Sequence, residues 1–276
     1  MKTRHFRAAH SIQVILKLLV AAVMLFPILW SFLCSFKTET EIFRFPPNFF
    51  PESLNFENYR NVWDSNLPLQ MWNSVKISLY TIAGTLLLST LAGYGFSRSN
   101  WKGMNILLYI LIGTQMIPGL SNVITLYITG NKLNALNTHW YVALIYIASN
   151  APTAVWLMKS YFSNIPRALD EAALVDGCTH VQAMFRITLP LVRTGMVACA
   201  ILIFVNCWNE FLIAMTMLGR TRVKTYSLGL RAFVVENDIS WANVCAATML
   251  GLVPMLVLFL SMQRSFLEGL TSGAVK

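Results

Sequence analysis

Charge is scarce in this chain. Only 12% of its 276 residues are Asp, Glu, Lys or Arg while 56% are hydrophobic, and a soluble domain carries about twice that share of charge. A water-facing surface cannot be covered with so few charges, which argues against a soluble globular protein. Acidic residues are the scarcest, 12 against 21 Lys and Arg, for a net charge of +9. No basic stripe with interleaved aromatics lies outside the apolar blocks, so nucleic acid is disfavoured as a partner. Cysteine is sparse and scattered: Cys34, Cys178, Cys199, Cys207 and Cys245 form no C-x-x-C pair. They read as small apolar fillers rather than disulfides or zinc ligands. The histidines, His5, His10, His139 and His180, fall in no H-E-x-x-H or other ligand spacing and complete no Ser/His/Asp constellation. A G-x-x-x-x-G-K-[ST] loop is also missing, so the chain has no phosphate cradle of that kind. Any ATP the system uses is then bound by another subunit, and the chain itself carries no cofactor.

Apolar length is what the chain has in quantity. Six blocks run roughly Ile12 to Leu33, Ser74 to Phe96, Met104 to Ile128, Trp140 to Met158, Met196 to Leu218 and Ala242 to Met262. Each matches the roughly 20 residues that a helix needs to cross a bilayer core of about 30 Å. Lipid leaves no backbone group unpaired, and the ten-residue alternation of a β-barrel is missing, so the blocks predict six transmembrane helices in an all-α integral membrane protein. Lys2, Arg4 and Arg7 precede the first block as they would in a secretory signal. That block exceeds the 7 to 15 residues of a signal core and no small-x-small site follows it, so it is expected to stay as a helix. The resulting divisions are an N-terminus over 1–11, a first helix over 12–33, a loop over 34–73, a membrane core over 74–262 and a tail over 263–276.

Orientation follows from the basic residues. With a cytoplasmic N-terminus, the inner side holds twelve of them (Lys2, Arg4, Arg7, Lys17, Arg98, Lys102, Lys159, Arg167, Arg186, Arg193, Arg264, Lys276) and the outer side eight (Lys37, Arg44, Arg60, Lys132, Arg220, Arg222, Lys224, Arg231). The remaining one, Lys76, lies within the second block. The bias favours positive-inside, with both termini cytoplasmic and 34–73 extracytoplasmic, although the basic loop Gly219 to Ser240 pulls the other way.

The connection Ser160 to Val192, between the fourth and fifth blocks, is the longest on the inner side. Ser163 and Asn164 offer N-cap oxygens, Pro166 suits a first helical turn, and Asp170 and Glu171 put negative charge near the positive end of a helix. Gly177 suits a left-handed C-cap, and Thr179 can cap a second helix running through Arg186 and Leu189. Leu169, Ala172 and Ala173, at i, i+3 and i+4, form a narrow face suited to another protein's groove.

Within that connection Glu171-Ala172-Ala173, three residues, Gly177, nine residues, Ile187, one residue, Leu189-Pro190 resembles the EAA signature of ATP-binding-cassette importer permeases at every fixed position. Other stretches resemble the carbohydrate-importer permeases of the MalG type: Pro27-Ile28-Leu29-Trp30 leading to Ser35-Phe36-Lys37, Glu57-Asn58-Tyr59, Asn73-Ser74, Met116-Ile117-Pro118, Trp208-Asn209-Glu210-Phe211, and the tail from Gln263-Arg264 through Gly269 to Gly273 and Lys276. The resemblance implies a type I importer transmembrane fold in the bacterial inner membrane. In that family the EAA segment is the coupling helix that docks on the cytoplasmic ATPase, so Glu171, Ala172, Ala173, Gly177, Ile187, Leu189 and Pro190 are the implied coupling residues. It also implies a second permease subunit, two ATPase subunits that bind ATP and Mg, an extracytoplasmic binding protein, and a tail around Gly269 and Gly273 that reaches toward the ATPase. The solute implied is a carbohydrate; the EAA signature alone also admits glycerol phosphate, amino acids or an oxyanion.

Ionisable residues inside a membrane are functional candidates by default. Glu210 is one, with Asn206 and Asn209 on overlapping faces and Trp208 adjacent; Gln115 joins them from the third block. They suit a hydroxyl-bonding path for a sugar, and they equally suit helix-to-helix contacts. Pro118, Pro152 and Pro254 are expected to kink their spans. A self-sufficient secondary carrier is disfavoured, since it would carry more spans and paired repeats.

Overall fold

The computed structural model describes residues 2–101, 103–235 and 238–272, with side chains described for 13–101, 103–234 and 239–263. In chain order the helices are α1 (Lys2–Cys34), α2 (Glu39–Ile42), α3 (Glu57–Asp64), α4 (Leu67–Arg98), α5 (Met104–Gly113), α6 (Gly119–Lys132), α7 (His139–Ser163), α8 (Arg167–Val175), α9 (His180–Ala183), α10 (Leu189–Leu191), α11 (Arg193–Asn209), α12 (Leu212–Met217), α13 (Tyr226–Leu230) and α14 (Trp241–Ser272). Two-residue strands β1 (Val234–Val235) and β2 (Asp238–Ile239) pair antiparallel between α13 and α14.

Among the described residues, four uninterrupted helices are long and apolar enough to cross a membrane: Gln13–Cys34, Leu67–Arg98, His139–Ser163 and Trp241–Gln263. The six crossings expected from the sequence are reached when each of two bent pairs is taken as one crossing. These are Met104–Met116 with Gly119–Lys132, bent by 88°, and His180–Leu191 with Arg193–Asn209, bent by 75°; in the second pair Arg193–Asn209 lies in the fifth apolar block and His180–Leu191 in the connection that precedes it. The third block is therefore broken rather than continuous. Pro118 has no N–H to donate and forces Ile117 into an extended conformation (φ −77°, ψ 119°) after a 3-10 turn over Thr114–Met116. Pro152 and Pro254 do not interrupt their helices. Close by, the Gln115 amide donates to the Ser149 carbonyl at 2.9 Å, which ties the 3-10 turn to α7.

The chain divides into two compact units. The first comprises 1–68 and 230–253. Its chain turns back after α1 because two separated motifs pair: Asn58 Nδ2 donates to the carbonyls of Ser35 (2.9 Å) and Lys37 (2.8 Å), and the Ser35 and Tyr59 hydroxyls bond at 2.7 Å. Phe36 packs edge-on against Phe56 at 5.4 Å. Lys37 is buried, bonded to the Asn48 carbonyl and lying 4.8 Å over the Trp30 ring. Glu39 accepts the Ala242 N–H at 2.8 Å and so caps the start of α14. Thr38 and Glu41 form a capping box, and backbone N–H groups of Thr38 and Glu52 hold the Glu41 carboxyl below the ordinary carboxylate range.

The second unit comprises 69–229 and 254–276. Its core is α7, whose buried Tyr141, Val142, Ile145, Tyr146, Met158 and Phe162 pack with residues of α4, α11 and α12. Along α4 a stripe of small polar residues, Ser74, Ser78, Thr81, Thr85 and Ser89, is buried. Small side chains let membrane helices approach closely. At Gly93 the approach leaves no space: a Cβ there would stand 2.8 Å from Met158 Cβ and 2.9 Å from the Lys159 nitrogen. Asn73 Nδ2 donates to the carbonyls of Arg222 and Lys224, which ties the basic loop after α12 to the start of α4.

Candidate coupling loop and translocation cleft

Two sites emerge within the second unit, one at each of the regions singled out by sequence. The first is the hairpin after α7. Ser163 is the last residue of α7 and Asn164 its C-cap, so neither caps α8; the N-cap of α8 is Pro166, with no side-chain hydrogen bond. Both positions are taken up by the end of α7, which runs further than its apolar block. The C-terminus of α8 is as the sequence predicts. Gly177 has φ +85°, its N–H donates to the Leu174 carbonyl (3.0 Å), and the Cys178 N–H donates to the Ala173 carbonyl (2.9 Å), a Schellman arrangement. Thr179 then caps α9 reciprocally with Gln182. A π-helical turn over Met184–Thr188, unforeseen from sequence, joins α9 to α10.

Exposure divides the signature residues. Glu171 and Ala172 are exposed, as are Leu169 and Val175, the latter by 87%, whereas Ala173 is 2% exposed and turned into the unit. The outward face of α8 is thus Leu169, Ala172 and Val175 rather than Leu169, Ala172 and Ala173, because 100° per residue carries Ala173 past the edge. Pro190 is exposed, and Ile187 and Leu189 are half-buried. Leu189 lines an apolar hollow of about 240 Å³ with Leu86, Leu87, Met184, Phe185 and Met196.

Asp170 is the residue that sequence reasoning undervalued. It is buried, and its carboxylate takes Arg98 Nε at 2.6 Å, Thr188 Oγ1 at 2.6 Å and Tyr94 Oη at 3.3 Å. Arg98 also donates to the Phe162 carbonyl at 3.0 Å. Arg167 adds bonds to the Asn100 side chain and the Ser97 carbonyl. From sequence, Asp170 reads as a partner for the helix dipole; the signal for its pairing is Arg98, a cation at the end of a span.

The second site is a cleft with both polar and apolar lining at the break between α5 and α6. Thr114, Gln115, Asn122, Thr125 and Ser149 line a hollow of about 500 Å³. A smaller one of about 170 Å³ is lined by Tyr146, Ser149, Asn150, Asn206 and Glu210, and Ser149 borders both. Asn206 Nδ2 donates to Asn150 Oδ1 at 3.1 Å. Glu210 ends α11 and caps α12: its carboxylate accepts the N–H groups of Ile213 (2.8 Å) and Ala214 (3.0 Å) and the Tyr146 hydroxyl (2.5 Å). Two of the sequence candidates lie elsewhere. Trp208 is 2% exposed, stacked between Phe204 (5.5 Å) and Tyr226 (5.1 Å), so its ring does not face the cleft. Asn209 is exposed, bonds back to the Val205 carbonyl, and borders neither hollow. Gly269 lies within α14 and Gly273 outside the described residues. Among the described residues no cluster of His, Cys, Asp and Glu is arranged to hold a metal ion.

Residues 85–267 match the family described as binding-protein-dependent transport system inner membrane component. The chain belongs to this family. It is 32% identical over 266 residues to the sulfoquinovosyl glycerol transport system permease protein SmoH of Agrobacterium fabrum, covering 95% of this chain and 93% of that one. It is 33% identical to the galactooligosaccharides transport system permease protein GanQ of Bacillus subtilis (93% and 92%) and 32% identical to the trehalose/maltose transport system permease protein MalG of Thermococcus litoralis (94% and 94%). A crystal structure of a bacterial ABC transporter that imports the acidic polysaccharide alginate contains a chain with the same fold, at TM-score 0.78 and 19% identity, over 94% of this chain and 97% of that one. The chain has the type I importer permease fold. The protein is a multi-pass permease component of an ABC importer, a transport subunit rather than an enzyme.

Proposed function

We propose that the chain forms half of the translocation path for a carbohydrate, with the hairpin Ser160 to Val192 as its coupling element to a separate ATPase. The observation that carries the coupling reading is the hairpin itself: an exposed face on α8, ended by Gly177 at φ +85°, with the body of α8 fastened inward through Asp170. Support for a carbohydrate comes from the sugar-importing relatives and from a cleft whose polar lining, Gln115, Asn122, Ser149, Asn150 and Asn206, is made of hydroxyl and amide groups suited to hydroxylated solutes. In this reading the chain pairs with a second permease, receives sugar from an extracytoplasmic binding protein, and leaves ATP and Mg to two ATPase subunits. Closure of the ATPases moves the coupling hairpins and exchanges the side on which the cleft is open, each ligand favouring one of two states. Both termini lie in the cytoplasm with the hairpin.

The test is made in lipid vesicles holding the assembled complex, with maltose, trehalose and a galactooligosaccharide as labelled probes. Gly177→Val places a β-branched residue at positive φ, at a cost of about 1 kcal/mol or more, and re-aims α8; Glu171→Lys reverses a charge on the exposed face. Both are expected to leave the permease in the membrane with uptake strongly reduced and ATP hydrolysis no longer raised by loaded binding protein. Wild-type uptake and stimulation in both variants would overturn the coupling reading.

A further inference from the structure

A push on the exposed face of α8 has two outlets. It can be absorbed at the Gly177 corner, where an αL glycine flexes easily, or it can pass through the side of α8 that faces the unit. On that side one carboxylate gathers four segments. Asp170 of α8 takes Arg98 and Tyr94 from the end of α4 and Thr188 from the π turn that leads to α11, while Arg98 reaches the Phe162 carbonyl at the end of α7. The side chains are nearly dry, 14% exposed for Arg98 and 9% for Asp170. A buried ion pair adds little net stability over a well-packed apolar pair. What it adds is geometry, because a guanidinium and a carboxylate fixed at 2.6 Å with further bonds on the same oxygens resist shear and rotation that apolar contacts permit.

We infer that Asp170 and Arg98 act as a strut that makes α8 and the inner ends of α4 and α7 one rigid body, so that displacement of the coupling face enters the membrane helices instead of being absorbed at Gly177. They are positioning residues; neither touches the solute or the nucleotide. The inference rests on the coupling reading of the hairpin. Thr188 extends the strut to the π turn, and thereby to α11, whose Asn206 borders the cleft.

Two readouts on the assembled complex in vesicles test it, on a background in which the five native cysteines are replaced. Spin labels at Gly95→Cys, where an added Cβ meets nothing within 4 Å, and at half-buried Leu174→Cys, off the outward face of α8, report the distance between α4 and α8. Thiol reactivity of Asn122→Cys toward a charged, membrane-impermeant reagent reports the cleft. With the strut intact, the spin-label distance is narrow and the same with and without ATP and vanadate, while nucleotide changes Asn122→Cys reactivity by about tenfold, within the usual range of coupling factors. Asp170→Asn should broaden the distance and remove most of the nucleotide response. Arg98→Lys, a point charge in place of a planar fork, should fall between. Thr188→Val preserves shape and removes one bond, and keeps the test open if Asp170→Asn fails to insert: it should weaken the response without altering α8 itself. A wild-type distance that changes with nucleotide, or variants that broaden nothing and respond as wild type, would overturn the strut. If Gly177→Val is equally silent, the coupling reading falls with it; if Gly177→Val uncouples while the strut variants do not, only the strut falls.

Discussion

Glu210 shows what one side chain in a membrane helix can be asked to do. Its two oxygens serve three donors, two of them the Ile213 and Ala214 N–H groups in the first turn of α12, just beyond the break from α11. Glu210→Gln turns one acceptor into a donor that faces a donor, so a loss of about 1–3 kcal/mol is expected. Thermal melting of the purified protein checks it: Glu210→Gln should melt well below wild type and below Tyr146→Phe, which loses a single bond; equal melting would remove the cap from the account. Part of this was legible in the sequence. An acid inside an apolar block announces itself, but whether it faces a path or a neighbour depends on Tyr146, 64 positions away, which no local pattern reveals. Trp208 misled for the same reason, since its adjacency to Glu210 in sequence says nothing of the Phe204 and Tyr226 rings that enclose it. Asp170 was hidden by a sufficient local explanation, the helix dipole, and Arg98 by its value as a topology charge.

At the scale of elements, the starts and stops written in local chemistry were readable. Gly177 and Thr179 do what their types suggest, because a C-cap and an N-cap depend on residues within three positions. The broken third crossing and the π turn were not readable as such, since hydropathy over a 20-residue window is blind to a change of direction within it. Helix approach is similarly hidden until the partner is known. Gly93 faces the Met158 Cβ and the Lys159 backbone, neither of which is a flexible end, so Gly93→Ala must separate α4 from α7. A cost of about 1–3 kcal/mol is expected. Comparison of its denaturation midpoint with that of Gly95→Ala, where the added carbon meets nothing within 4 Å, isolates the effect; matched midpoints would contradict the close approach.

For the whole molecule, charge and apolar length carried the class, and the signature carried the family. The side on which the hairpin lies is a consequence that can be measured directly. A single cysteine at position 171, on a cysteine-free background, should resist impermeant thiol reagents in intact cells and react once the membrane is opened; labelling from outside would invert the topology. The π turn over Met184–Thr188 also bears on how such a chain tolerates change in length. A turn closed from residue i to i+5 holds one residue more than an α-helical turn, so the helices on both sides keep their facing although the chain between them is longer. Loss of one residue inside α7 would rotate everything beyond it by about 100° and turn its buried face outward. Loss of exposed Phe185 from the π turn would instead close it to an ordinary α-helical turn. Such a loss would also shorten the nine-residue spacing between Gly177 and Ile187 that the signature fixes, so the extra residue of the turn is built into that pattern rather than spare.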